Sequence, residues 1–489
     1  MHLACICYVL TFLSDQHIFC VFVAFLGIHT KFFCFSRKHN APQQPTSSLF
    51  FSLLHPTQPD SHPPPSSRTA ITMQLNPGKT LLEAIDKANS DLRDLSLKIH
   101  SHPELGYKEF YAHKTVTDFM AERGFHVTRH ACGIETAFVA EYVHQGSNPV
   151  DSSPLRSVGF CSEYDALALG GSGDKVVLGQ GCGHNLICTA GVTAALGVKA
   201  AMEKHNIRGR VRLLGTPAEE TLGGKRPMLE RGAFDGLDAC MMIHPGQFDV
   251  LYRQPLGVGR LEIEYRGKAA HASSSPWEGI NALDAIAMAY NAIGQLRQQT
   301  LPTNRIHSIV TNGGQAANII PEVASMVTQY RANKNEDLNK LHDQLLEIYE
   351  AAAEATGCTV TVEKTMEYMP LHNNSILSDR YGQYMTSMGV HYNSRQVDET
   401  TPAGSTDMGN VTHALPGIHP VFNIASLEGV REPGLSTHSL LFAERSGTEL
   451  AHKTMIRAAK ALSLTGLDVL LDGEFTKQAR DEFEKSKEQ

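Results

Sequence analysis

Residues 209–220 read GRVRLLGTPAEE, an apolar run that leads directly into a proline and two glutamates. Two further runs of this kind, 157–164 and 237–243, are also short, apolar and followed by polar residues, and residues 134–142 form another strand-like run. Short apolar runs bounded in this way predict buried strands. A stretch rich in Ala and Leu at 185–204 predicts a helix between the strands 157–164 and 209–215. Strands that alternate with helices predict an α/β layer with a mostly parallel central sheet.

Polar residues with metal-binding chemistry follow these predicted strands. Run 157–164 leads into Glu163-Tyr164-Asp165, run 209–215 into Glu219-Glu220, and run 237–243 into His244, while the turn 181–185 (GCGHN) opens the helix. Ligands of an open parallel sheet lie beyond the carboxyl ends of its strands, so these places are expected to converge. Thiolate, imidazole and carboxylate are the donors that zinc accepts, and manganese or cobalt can occupy the same sites.

Each of these residues, taken alone, also fits a structural role. Cys182 could be a small buried apolar residue, and His244 a hydrogen-bonded residue at the end of a strand. Glu219 and Glu220 could be solvated carboxylates at the start of a helix, where they suit the helix dipole. The Cys-x-His spacing in a glycine turn is more specific, because it places two donors side by side. The combination at successive strand ends favours a metal site.

The pattern changes near Val258, where residues 261–266 alternate strictly between apolar and charged. This alternation predicts a strand with one solvent-exposed face. Further patterns give the order β-α-β-β-α-β over residues 258–371, with Asn335 as the expected N-cap of the second helix. We therefore predict a ferredoxin-like domain inserted between two parts of a larger domain, residues 73–257 and 372–489.

The first 72 residues differ from the rest. Residues 3–13 and 18–28 are apolar, and residues 36–72 are rich in Pro and Ser. Two interpretations are open. The segment is a signal anchor, or the gene model is over-extended and the true start of the protein is Met73. Residues 1–72 are thus expected to be disordered or to be an artefact of the gene model. The expected location is the cytoplasm, with membrane anchorage as the alternative if residues 3–28 are a real anchor.

Composition excludes several classes of protein. The chain has 489 residues and a formal charge of −8, without a Lys/Arg block, which argues against nucleic-acid binding. The cysteines after residue 72 show no regular spacing and no Cys-x-x-Cys pair. A disulfide framework or a structural zinc finger is therefore not expected, and a reducing compartment fits better.

The motifs, in their order along the chain, resemble metallopeptidase family M20. The similarity is to its amidohydrolase branch, which contains N-acyl-amino-acid, auxin-conjugate and aminobenzoyl-glutamate hydrolases, and within that branch it is greatest to a subgroup of dipeptidases. It extends over almost all of residues 73–489. The matching segments are EYDAL (163–167), GCGHN (181–185), PAEE (217–220), MIHP (242–245), GKAAHA (267–272), GGQAANIIP (313–321), GSTDMGNV (404–411) and THS (437–439).

The resemblance implies a zinc-peptidase-like catalytic domain and an inserted dimerisation domain. It implies two divalent metal ions, Zn²⁺ in the first place with Mn²⁺ or Co²⁺ as alternatives. Glu219 would be the general base, because a carboxylate next to metal-activated water can take its proton and pass it to the leaving amine. The implied ligands are Cys182, His184, Glu220, His244 and His438.

The same resemblance assigns roles to three residues of the inserted domain. His271 would reach the active site of the partner subunit in a homodimer and stabilise the oxyanion of the tetrahedral intermediate. Asn318 would contact the substrate, and Arg331 would bind a substrate carboxylate through a bidentate pair. For Arg331, a solvated arginine at a strand end fits the sequence equally well.

The predicted function is metal-dependent hydrolysis of the amide bond in a small dipeptide or an N-acyl amino acid. Dipeptidase activity is the first choice and deacylase activity the second. The alternative is a catalytically inactive relative that binds a metabolite or a protein. A degenerate relative would be expected to lack the base or a ligand, whereas Glu219 and all five implied ligands are present.

Overall fold

The protein is described by a computed structural model. It covers residues 77–146, 154–171, 176–400, 404–427 and 432–487, and the backbone of three strands near the N-terminus. The chain forms two compact units, Met1–Pro65 and Ser66–Gln489. In the first unit, β1 (Cys7–Ser14), β2 (His17–Leu26) and β3 (His29–Phe35) form an antiparallel sheet. The predicted Pro/Ser-rich segment 36–72 lies outside the described residues, and both interpretations of residues 1–72 stay predictions.

The second unit contains the remaining strands and the helices. The described strands are β4 (His126–Arg129), β5 (Phe138–His144), β6 (Ser157–Ser162), β7 (Leu167–Gly170), β8 (Val177–Gly179), β9 (Gly209–Gly215), β10 (Ala239–Met241), β11 (His244–Gly246), β12 (Gly257–Arg266), β13 (Arg305–Asn312), β14 (Val323–Ala332), β15 (Thr359–Tyr368), β16 (Gly417–Ile418) and β17 (Val421–Asn423). The described α-helices are α1 (Lys79–Ser101), α2 (Phe110–Glu122), α3 (His184–His205), α4 (Lys225–Glu230), α5 (Ala282–Leu296), α6 (Asn335–Thr356), α7 (Ser375–Ser387), α8 (Arg395–Thr400), α9 (Met408–Thr412), α10 (Leu440–Ser446), α11 (Glu449–Leu471) and α12 (Gly473–Lys487).

The central sheet has the strand order β16-β10-β6-β9-β5-β4. Its four strands β16, β10, β6 and β9 are parallel, and β5 and β4 add an antiparallel edge. All six residues of β6 are buried, as expected for a strand covered on both faces. The predicted mostly parallel α/β sheet is confirmed.

Two predicted strands have other bounds in the structure. The run 237–243 forms a strand only at β10, because the chain then leaves this sheet and pairs through β11 with β17. The run 134–142 forms a strand only from Phe138, since residues 134–137 form a turn in which the amide of Ala137 donates to the carbonyl of Ile134. The predicted strand 209–215 coincides with β9.

Helix α3 forms the centre of the layer that covers the sheet. It packs against α1, α11 and β6, and sixteen of its residues are buried. Among the described helices, it alone is long and apolar enough to cross a membrane by length and composition, and 83% of its most apolar stretch is buried inside the protein. That degree of burial is typical of the core helix of a globular domain.

The inserted domain is a four-stranded antiparallel sheet with the order β13-β14-β12-β15 and two helices, α5 and α6. The helices pack on this sheet around a core of their own that includes Leu341, Leu345 and Tyr349. The βαββαβ ferredoxin-like prediction is confirmed. The N-cap prediction is wrong: Asn335 is the first helical residue, and Lys334 occupies the cap position without a side-chain cap. The predicted domain boundaries stay predictions.

Candidate metal centre

The five predicted ligands come together at the carboxyl ends of the parallel strands. Donor atoms of Cys182, His184 and His244 lie within 4.8 Å of one another, and so do those of Cys182, Glu220 and His438. The thiol of Cys182 is common to both groups, and its Sγ is 3.2 Å from Nε2 of His244. Two overlapping groups that share one donor suit a pair of neighbouring cations.

The turn before α3 places Cys182 and His184. Between them, Gly183 has a φ of 74°, and a Cβ at this position would lie 2.7 Å from Cγ of Pro245. A side chain here would therefore be strained by the backbone and would also clash. The imidazole of His184 is held at Nδ1, 2.8 Å from Oδ1 of Asp165, so that Nε2 faces the other donors. A carboxylate in this position fixes the tautomer of a ligating histidine.

The loop after β9 separates the two glutamates. Ala218 has a φ of 61°, which is unusual for a residue with a side chain, and its amide donates to the buried carboxylate of Glu109. The Glu220 amide donates to Oδ2 of Asp165, and the hydroxyl of Tyr368 donates to the carbonyl of Glu219. Three hydrogen bonds thus fix the backbone of this loop.

The two glutamates face different partners as a result. The Glu220 carboxylate lies 3.6 Å from Nε2 of His184 and 3.4 Å from Nε2 of His438. Glu219 is buried and lines the adjoining cavity. The two carboxylates therefore have different surroundings, and their division into one ligand and one base stays a prediction.

Burial dominates the electrostatics of the site. It lowers the pKa of His244 well below its usual range, which favours the neutral ring that a metal binds. Burial and the neighbouring carboxylates Glu163 and Glu220 raise the pKa of Glu219 well above its usual range. Burial also raises the pKa of the Cys182 thiol, with Glu220 adding to the effect. A cation beside these groups would favour their charged forms.

Three atoms in this cluster show that the residues fit a divalent metal. Glu163 Oε2, His184 Nε2 and Glu220 Oε1 are buried and have no hydrogen-bond partner within the described parts of the chain. The histidine nitrogen is 3.5 Å from the first oxygen and 3.6 Å from the second. Leaving a buried polar atom unsatisfied costs about 1–3 kcal/mol, and a shared cation would remove that cost. The sulfur, nitrogen and oxygen donors are compatible with zinc.

A cavity of about 480 Å³ adjoins the donors. Arg331 lines it, half-buried, and donates from Nη1 to Oγ of Ser405 at 2.5 Å. Burial lowers its pKa from the usual arginine value. Arg331 thus lies near the end of β14 but lines the cavity and is not fully solvated. Cavity-lining residues that were not predicted include Arg253, Arg260, Gln329 and Tyr368.

His271 and Asn318 are not among the residues that line this cavity. Both are exposed, and they are neighbours, since the amide of Ala272 donates to the carbonyl of Asn318 at 3.1 Å. Nδ1 of His271 accepts from the amides of Ser273 and Ser274. Within one subunit, therefore, the structure brings the five ligands, Glu219 and Arg331 together but leaves His271 and Asn318 on the surface.

The sequence predicts Glu163 only as a strand-end residue without a role, and it does not predict Lys225 as part of the site. Both side chains are fully buried, and they form an ion pair next to His184. The position of Glu163 directly after β6, at the carboxyl end of a parallel strand, is the sequence feature that could have indicated a role in the site. Nothing in the local sequence marks Lys225, because a lysine is almost always expected at the surface.

The fold and the site together define a metal-dependent hydrolase. A family model described as a peptidase dimerisation domain matches residues 256–357. The chain is 39% identical over 410 residues to the Xaa-Arg dipeptidase of Mus musculus and 37% identical over 410 residues to that of Homo sapiens, covering 82% of this chain and 90% of each relative. The chain therefore belongs to the M20 metallopeptidase family, in its amidohydrolase branch.

A solved structure agrees with the fold. The Bacillus subtilis YXEP protein, a dinuclear metal binding peptidase from the M20 family, aligns with a TM-score of 0.55 at 18% identity and covers 79% of this chain and 99% of its own. The predicted family and the predicted enzyme class are confirmed. The alternative of an inactive relative is not favoured, since the curated relatives are named as dipeptidases and hydrolases.

Proposed function

We propose that the protein is a dipeptidase that cleaves dipeptides with a C-terminal arginine, using two zinc ions. The observation that carries the proposal is the pair of donor groups that share Cys182 beside a cavity containing Glu219. Both mammalian relatives are named for cleavage of Xaa-Arg dipeptides, and the cavity volume of about 480 Å³ suits a ligand of dipeptide size.

The proposed ligands are Cys182, His184, Glu220, His244 and His438. When bound, the metal pair would lower the pKa of a water molecule and polarise the substrate carbonyl. Glu219, with its raised pKa, takes the proton from the attacking water and later delivers it to the leaving amine. Arg331 binds the C-terminal carboxylate of the substrate, and Ser405 holds its guanidinium in position.

We further propose that the enzyme works as a homodimer formed through the inserted domain. Strand β13 is an edge strand of that domain and exposes Ile309 (64%) and Val310 (46%). An exposed apolar edge is a ready surface for pairing with a second chain. In the dimer, His271 would stabilise the oxyanion in the partner's site, and Asn318 would contact the substrate there.

The cytoplasm is the proposed location. The six cysteines after residue 72 are free, which suits a reducing compartment. Cell fractionation with detection of the native protein tests this: sedimentation with membranes would instead support an anchor in residues 3–28.

The function is tested on the purified full-length protein with a panel of Xaa-Arg dipeptides, other dipeptides and N-acetyl amino acids, together with metal analysis. We expect the fastest turnover on Xaa-Arg dipeptides and two metal ions per chain. Glu219→Gln should lower kcat by about 10²–10⁴-fold with unchanged metal content. Glu230→Gln, on the exposed side of α4, is the matched control. Turnover that is indifferent both to a chelator and to Glu219→Gln would refute the proposed function.

A further inference from the structure

Glu163 has one paired and one unpaired carboxylate oxygen at the edge of the donor cluster. The residue follows β6 directly and its side chain is fully buried. Oε1 accepts a hydrogen bond from Nζ of Lys225 at 2.5 Å. Oε2 lies 3.5 Å from Nε2 of His184, and neither atom has a hydrogen-bond partner within the described chain. The unpaired oxygen therefore lies beside the nitrogen of His184 that is proposed to bind the metal.

Lys225 fixes the orientation of this carboxylate. Its ammonium is fully buried and contacts Glu163 Oε1 and Asp407 Oδ1, each at 2.5 Å. The backbone amide of Lys225 donates to the other oxygen of Asp407 at 3.0 Å. The ammonium therefore lies between two carboxylates, one of which is that of Glu163. Glu163 Oε1 is consequently committed to Lys225, and Oε2 is left for another partner.

The distances around His184 are those expected of ligands on one cation. Ligands at 2.0–2.2 Å from a tetrahedral zinc ion are separated from each other by roughly 3.3–3.6 Å. Nε2 of His184 lies 3.5 Å from Glu163 Oε2 and 3.6 Å from Glu220 Oε1. A direct hydrogen bond to the ring nitrogen would be shorter, at about 2.7–3.2 Å.

We propose that Glu163 is a sixth metal ligand, aimed by the buried Lys225. The inference rests on the proposed two-metal function and adds a residue to its ligand set. It also accounts for Glu219: donor atoms of Glu163, His184 and Glu219 lie within 4.8 Å of one another. If Glu163 supplies the carboxylate at this position, Glu219 remains unligated and available as the base.

The test measures metal binding in place of turnover. Full-length protein is stripped and reloaded with Co²⁺, and the two affinities and the visible absorption spectrum are recorded for the parent, Glu163→Gln and Asp407→Asn. Asp407→Asn is the matched control, because it removes the other carboxylate of Lys225 and leaves Glu163 in place. We expect Glu163→Gln to weaken one Co²⁺ by at least about tenfold and to change the spectrum, while Asp407→Asn retains both ions and the parent spectrum.

Each alternative result has a definite meaning. Parent-like affinities and spectrum in Glu163→Gln would overturn the inference, as would equal weakening by both variants, which would mean that only the buried ion pairs matter. If Glu163→Gln does not fold, Glu163→Asp is used in its place. This variant keeps the negative charge beside Lys225 but shortens the side chain by one methylene, which moves the carboxylate oxygen away from His184. An unchanged Co²⁺ spectrum in Glu163→Asp would overturn the inference. A parent protein that binds no metal would refute the proposed function itself.

Discussion

Asp165 offers the sharpest test of how the site is built. Its buried carboxylate accepts at both oxygens, from His184 Nδ1 at 2.8 Å and from the Glu220 amide at 3.0 Å. It thereby holds two proposed ligands at once. Because Nδ1 of His184 donates to this carboxylate, the ring carries its proton on Nδ1. The lone pair of Nε2 is therefore free to bind a cation.

Asp165→Asn has nearly the same shape but offers only one acceptor oxygen. If the new amide group faces the Glu220 N–H, two donors meet and the loop loses its support. If the amide group faces His184 instead, Nδ1 must become the acceptor, and the proton moves to Nε2, the ligand atom. Either orientation impairs one ligand.

Loss of such a supporting group typically lowers metal affinity about 10–100-fold, which corresponds to roughly 1.4–2.7 kcal/mol of binding free energy. The assay is competition between the protein and a chelator for Zn²⁺, with urea unfolding of the metal-free protein measured in parallel to separate binding from stability. Asp398→Asn is the matched control, since Asp398 is also buried and accepts two backbone amides, from Leu251 and Tyr252. A folded Asp165→Asn protein with the zinc affinity of the parent would refute the reasoning.

Three further outcomes are expected elsewhere in the chain. Gly183→Ala should weaken metal binding, because of the φ of 74° and the contact with Pro245; normal metal content in the folded variant would contradict this. Leu345→Ala should lower the free energy of unfolding by about 2–5 kcal/mol, measured in urea, because Leu345 is fully buried in the inserted domain. Burial lowers the pKa of His452 to about 4, below its ordinary value of 6.5. As the pH drops, His452 is therefore protonated in the unfolded chain before it is protonated in the folded protein. The free energy of unfolding should consequently fall as the pH drops from about 6.5 towards about 4. Thermal unfolding across this range should show a smaller decline in His452→Gln, and equal declines would argue against His452 as a source.

Local patterns were sufficient for much of the fold. Strand β9 and helix α3 lie where the sequence predicts them, because a short apolar run and a long Ala/Leu-rich stretch are distinguished by length alone. The end of β10 was mispredicted, since Met242 and Ile243 are as apolar as the strand but lead into a different sheet. Apolar residues indicate that a segment is buried. They do not indicate which strand it pairs with, because strand pairing depends on which strands lie next to it in the fold.

The sequence by itself determined the kinds of donor and their places at strand ends, because residue type sets the chemistry and the carboxyl ends of parallel strands share one edge. Only the tertiary structure decided which atoms face each other. Lys225 is separated along the chain from Glu163 by 62 residues and from Asp407 by 182, yet all three meet inside the protein. Contacts over such separations depend on how strands and helices pack, and no local spacing encodes them.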